Sequence, residues 1–250
     1  MIVPCPLIKP KYYKSLLIDL ANFVRRPIDK SSIEKSTAQK IYDTIGLFFI
    51  KIIFSITVAS LLQLIYEPEN LTSVSMSDRF GPLALLLVGG IILPIFEEIT
   101  FRLSLKFSPI NFALTSGTFT YYIMTKAVYK SRLSLVDDTF WYRIIVAVII
   151  LLIAFVLSNR SSIRQILEQF WKKHFRLIYY ASCISFAWLH IFNFELNLTN
   201  LLLLPILTLP QLFSATIAGY TRVAFGLKYP VLLHMITNTL FLSLTLLPLD

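Results

Sequence analysis

With 250 residues, 56% of them hydrophobic and only 15% charged, the chain carries more apolar surface than one soluble core can hide. A mean hydropathy of +0.71 excludes an ordinary soluble domain, and the net charge of +9 is read first as a membrane-orientation signal, not a nucleic-acid footprint. The two cysteines, Cys5 and Cys183, are too far apart to suggest a disulfide framework or a metal knuckle.

The first 44 residues are basic and mixed. Met1 to Lys14 lacks the apolar core of a signal peptide, because Lys9, Lys11 and Lys14 break it, so the first span is expected to act as its own insertion signal. Leu16, Leu17, Leu20, Phe23 and Val24 recur at helical spacing beside Lys14, Arg25 and Arg26, which predicts an amphipathic helix on the membrane surface. Residues 45–250 then read as one membrane domain. Its apolar spans are Ile45–Tyr66, Pro82–Phe107, Pro109–Tyr129, Tyr142–Ser158, Leu177–Asn193, Asn200–Ala218 and Pro230–Pro248. Each is near the ~20 residues that cross the hydrocarbon. The expected fold is therefore all-α: a polytopic bundle of about seven transmembrane helices after an amphipathic N-terminal segment. Pro205 and Pro210 predict a kink or break in the sixth span. Ala215 and Gly219, one turn apart, predict a close helix approach.

Orientation follows from the cations. Seventeen of the 23 lysines and arginines, Lys30 among them, fall in segments on the N-terminal side of the membrane. Five fall on the other side: Arg79, Lys126, Lys130, Arg132 and Arg143. Lys51 lies within the first span. The excess predicts a cytoplasmic N-terminus.

Ionisable groups in hydrocarbon are costly and point to function. The second span holds Glu97-Glu98-Ile99-Thr100-Phe101-Arg102. Glu98 and Arg102, four apart, are placed to pair, which leaves Glu97 to face a cavity. Pro94 is expected to free the carbonyl of Gly90, and Gly89 and Gly90 loosen the same turn. The fifth span holds Phe186 and His190 on one helical face; the seventh holds His234 and Asn238 on one face. His174, in a basic stretch, reads as solvated. At 1.5 Å per residue Glu97, His234 and Asn238 lie at roughly matching depths, while His190 requires the fifth span to tilt or to start later. A single buried His or Asn is more often hydrogen-bonding glue between helices than a catalyst; the three clusters together argue for chemistry.

The order EExxxR, FxxxH, HxxxN resembles that of the CAAX protease and bacteriocin-processing family, also called the type II CAAX prenyl endopeptidases. Glu97, Glu98 and Arg102 match the first motif, Phe186 and His190 the second, His234 and Asn238 the third. The resemblance covers roughly residues 82–248. Leu103 departs from it where a glycine often follows the arginine, and the stretch from Arg102 to Phe186 is long, holding two extra spans.

The resemblance implies an intramembrane endopeptidase in a prokaryotic plasma membrane. Its partners would be the lipid bilayer and a membrane-associated, lipidated or unlipidated protein or peptide substrate, with no nucleic acid. Glu97 would accept a proton from water, His190 would orient that water or share the proton, and His234 and Asn238 would bind the oxyanion, with Glu98, Arg102 and Phe186 in support. Glu97 and Glu98 are assigned by helix geometry and analogy. Whether a cofactor takes part is open: Glu97, His190 and His234 are candidate zinc ligands, yet the helical HExxH of zinc proteases is missing. The rival readings are a catalytically silent self-immunity or scaffold protein, and a transporter with a buried Glu/His relay.

Overall fold

The computed structural model describes residues 6–29 and 34–247, so Met1, Cys5, Lys30 and Pro248 lie outside it. Among the described residues the chain is helical, with no strand. Four segments are long and apolar enough to cross a membrane: Thr37–Gln63, Pro82–Leu105, Phe140–Asn159 and Ser161–Asn193. In the first and third, only 17% of the most apolar window is buried inside the protein, so most of that surface is left free to meet lipid. The other three expected spans are helical but shorter or more polar.

Helix α1 (Pro10–Arg25) starts with a proline, whose missing N–H costs nothing in a first turn. Its apolar stripe was expected to lie on lipid. Instead Leu16 and Leu20 are buried in a cluster with Leu47, Ile217 and Tyr220, so the stripe is largely used on the protein. Leu17 and Ile18 stay exposed. Helix α2 (Thr37–Gln63) begins inside the basic segment, where Ser36 Oγ accepts from the Gln39 N–H and Gln39 Oε1 accepts from the Ser36 N–H. Such a capping box is worth about 1 kcal/mol. A short helix, α3 (Leu71–Arg79), is capped by Asn70.

The second span is one path in three parts: α4 (Pro82–Leu87), a π-helical turn (Val88–Ile92) and α5 (Leu93–Phe101), ending in a 3-10 turn at Leu103–Leu105. Helix α6 (Pro109–Ile123) continues as a π-helical turn (Met124–Val128) and packs along α7 (Phe140–Asn159). Helix α8 (Ser161–Leu189) starts well before the expected Leu177 and bends at His174, whose φ/ψ of −111°/19° leaves the helical region. His174 is half-buried against Phe170 at that bend, not fully solvated. A 3-10 turn, His190–Asn193, ends this span.

The sixth span is broken as its prolines require. Pro205 and Pro210 sit in the first turns of α10 (Leu204–Leu207) and α11 (Leu209–Ala224), after a short α9 (Leu198–Leu202). Helix α11 runs through the centre, packed on α1, α2, α8 and α12 (Lys228–Thr245). It meets α8 where small residues permit: a Cβ on Gly219 would lie 2.6 Å from Tyr179 Cε2, and Ala215 is fully buried beside Cys183.

Candidate functional site

Three helices bring their polar residues to one cavity of about 750 Å³. Glu97 (α5), Phe186 and His190 (the end of α8), and His234 and Asn238 (α12) all line it. Glu98 and Arg102 do not. They are 0% and 1% exposed, behind the cavity wall.

The two adjacent carboxylates therefore have different surroundings. Glu98 Oε1 accepts from His234 Nδ1 at 2.9 Å and lies 3.6 Å from Arg102 Nη1. Glu97 Oε2 faces the other ring nitrogen of the same histidine, Nε2, at 3.7 Å. Adjacent helical residues point about 100° apart, and here that angle places His234 between two carboxylates. Because a carboxylate oxygen accepts, Nδ1 carries a proton toward Glu98, and Nε2 is turned toward Glu97 and the cavity. The same logic fixes His190: its Nδ1 lies 2.6 Å from the Phe186 carbonyl, which can only accept, so its Nε2 is the free acceptor.

Arg102 is held in an unusual way. Among the described residues none of its guanidinium nitrogens has a hydrogen-bond partner, and its central carbon lies 3.8 Å from the centre of the Phe186 ring. Phe186 also touches His190 (4.6 Å) and the edge of His234 (5.9 Å). One ring thus supports the arginine and both histidines. The end of α5 is fixed from outside. Arg222 donates to the carbonyls of Arg102 (3.1 Å) and Leu103 (2.8 Å), and the Ser182 hydroxyl donates to the Phe101 carbonyl. A basic group on these carbonyls suits a helix C-terminus.

The π-helical turn explains Asn238. In this turn the Leu93 N–H bonds the Val88 carbonyl, one residue further back than in an α-helix. Pro94 has no N–H to offer, so the carbonyl released is that of Gly89, not Gly90 as the proline alone suggested. Asn238 Nδ2 donates to it at 3.2 Å. One amide hydrogen of Asn238 is committed there, and the other remains for a ligand.

Lys51 on α2 also lines the cavity, 4% exposed, with Nζ 3.0 Å from Thr237 Oγ1. Sequence reasoning located it within a span without giving it a role; a lysine in the middle of an apolar run was the available signal. Lys126, counted as a loop cation, is likewise a buried wall residue.

Glu97, His190 and His234 share a wall, but among the described residues no three His, Cys, Asp or Glu side chains gather closely enough to hold a metal. No family model matches the sequence, and neither a curated protein nor a solved structure matches it.

Proposed function

We propose that this chain is an integral membrane endopeptidase of the glutamate type, similar in its motifs to the CAAX-processing family, acting on a membrane-associated protein or peptide. About seven crossings with a cytoplasmic N-terminus, in a prokaryotic plasma membrane, are part of the same reading. One observation carries it: Glu97 faces His234 at 3.7 Å in a cavity that His190 and Asn238 also line, while Glu98, behind the wall, fixes the His234 ring.

Glu97 Oε2 and the His234 ring face each other across one cavity that His190 also lines, a setting for a water molecule that donates to Glu97 and to one of the two rings. As the water oxygen attacks the peptide carbonyl carbon, its proton passes to Glu97. The remaining N–H of Asn238 faces the developing oxyanion. The proton crosses from Glu97 to His234 Nε2 and then to the leaving amine, so the C–N bond breaks with its nitrogen protonated. Glu98 keeps Nδ1 protonated throughout and holds the ring in place. Water is consumed and no other co-reactant is needed.

The test is hydrolysis of lipidated and unlipidated peptides by purified protein in bilayers, beside Glu97→Gln and with a chelator in parallel. Wild type should cleave, and Glu97→Gln should be slower by about 10²-fold or more. A folded wild-type protein that cleaves no peptide of the panel overturns this reading in favour of a silent scaffold.

A further inference from the structure

The cavity continues from Glu97 to a basic end. There Lys126, on the π-helical turn Met124–Val128, is 6% exposed and has no hydrogen-bond or ion-pair partner among the described residues. An ammonium held this deep, hydrogen-bonded to nothing among the described residues and with only the Glu97 carboxylate acting on it from further off, is costly, and a ligand carboxylate seated against it lowers that cost. Two more cations line this end. Arg79 gives three of its five N–H groups to neutral oxygens, the carbonyl and hydroxyl oxygens of Ser75 and Ser134, and Arg132 is exposed, with no ion pair among the described residues. Over the whole cavity Lys51, Lys126, Arg79 and Arg132 face only two carboxylates, Glu67 and Glu97.

We propose that Lys126, with Arg79 and Arg132 toward the mouth, binds a carboxylate of the peptide substrate, so that the protein selects peptides bearing an acidic group near the scissile bond. This rests on the peptidase reading above. A carboxylate fits better than a phosphate. The deeply placed cation at this end, Lys126, is a point charge that matches one carboxylate, whereas a phosphate dianion calls for an arginine fork at the same depth, and Arg132 is exposed and Arg79 part-committed to Ser75 and Ser134. The carboxylate can come from an Asp or Glu side chain or from a free C-terminus.

The test measures binding and cleavage separately. Binding uses the full chain carrying Glu97→Gln, in lipid nanodiscs, with three short fluorescent peptides: neutral and amidated, amidated with one glutamate, and neutral with a free C-terminal carboxylate. At least one anionic peptide should bind about ten- to a hundredfold tighter than the neutral one, and which one does identifies the source. Lys126→Met should abolish the preference, Lys126→Arg should keep it, and Lys126→Glu should reverse it in favour of the neutral peptide. Equal binding of all three peptides, or a preference unchanged by Lys126→Met in a protein with native thermal unfolding, overturns the proposal. Cleavage by the Glu97 protein is scored apart. Anion-selective binding without hydrolysis supports the subsite and refutes the peptidase; hydrolysis without anion preference does the reverse.

Discussion

Glu98 Oε1 accepts the Nδ1–H of His234 at 2.9 Å across 136 residues of sequence, and the same oxygen lies 3.6 Å from Arg102 on its own helix. One buried atom therefore joins α5 to α12 and offsets a guanidinium that has no hydrogen bond among the described residues. Its removal leaves Arg102 charged and unpaired, a change that costs about 3–5 kcal/mol in protein interiors. Glu97, with its carboxylate in the cavity and only a 3.7 Å contact, should cost about 1 kcal/mol or less when removed. Chemical unfolding of Glu98→Ala and Glu97→Ala in one detergent checks this: the first should be strongly destabilised and the second close to wild type. Equal losses would show that the two carboxylates share the structural load.

Phe186 is the second support of the same arginine. A desolvated cation over an aromatic face is worth about 2 kcal/mol, and the guanidinium lies 3.8 Å from this ring. Phe186→Leu retains most of the apolar volume and removes the ring. In a double-mutant cycle with Arg102→Met, the two substitutions should couple by about 1–2 kcal/mol. Additive losses would mean that Phe186 contributes packing alone.

The approach of α12 to the π-helical turn depends on Gly90. A Cβ there would sit 2.6 Å from Thr239 Oγ1, and Thr239 follows Asn238 directly. Gly90→Ala should push α12 outward, lengthen the Asn238–Gly89 contact, lower stability by about 1–3 kcal/mol and reduce any hydrolysis. Thr239→Ala removes the clashing hydroxyl, and its other atoms lie at an ordinary 3.5 Å from the added carbon. The double variant should recover most of both losses, as read by thermal unfolding and turnover. If Gly90→Ala alone is silent, the interface has room that the geometry denies.

Much of this arrangement could be read from the chain because the signals were local. The break at Pro205 and Pro210 follows from a missing N–H, and the Gly219 contact follows from a missing side chain. The divergence of Glu97 and Glu98 follows from the helical turn angle. Features set by packing between distant segments were not legible. Nothing in the spacing around Gly89 says that the helix widens to a π turn, so the freed carbonyl was misplaced by one residue. The stripe of α1 has the same pattern whether it meets lipid or protein; only α2 and α11 decide, by presenting Leu47 and Ile217 to it. Lys51 and Lys126 look alike in sequence to snorkelling lysines, and only the fold turns them toward the cavity. The 3.7 Å between Glu97 and His234 is likewise a product of three helices meeting.

Acid sensitivity should come in part from the loop before α7. Asp137 accepts from the Ser131 hydroxyl, from the Thr139 hydroxyl and backbone, and from Arg143 at 2.9 Å. The Ser131 and Thr139 bonds, more than the arginine, pull its carboxyl down to about 2 against the opposing effect of desolvation. A carboxyl whose pKa is depressed in the fold stabilises it fully above the unfolded value, near 3.9, and loses that contribution as pH falls through the folded value. Wild type should therefore exceed Asp137→Asn in Tm by a constant margin from neutral pH down to about 4, and the margin should close between about 4 and 2. Arg143, 0% exposed and donating also to the Leu135 carbonyl and Thr125 Oγ1, is what the loop is pinned to. Arg143→Met should leave the direction of that pH dependence in place, because the hydroxyl bonds remain, while lowering the plateau. A margin that does not change with pH would mean that Asp137 is no better solvated in the fold than in the unfolded chain.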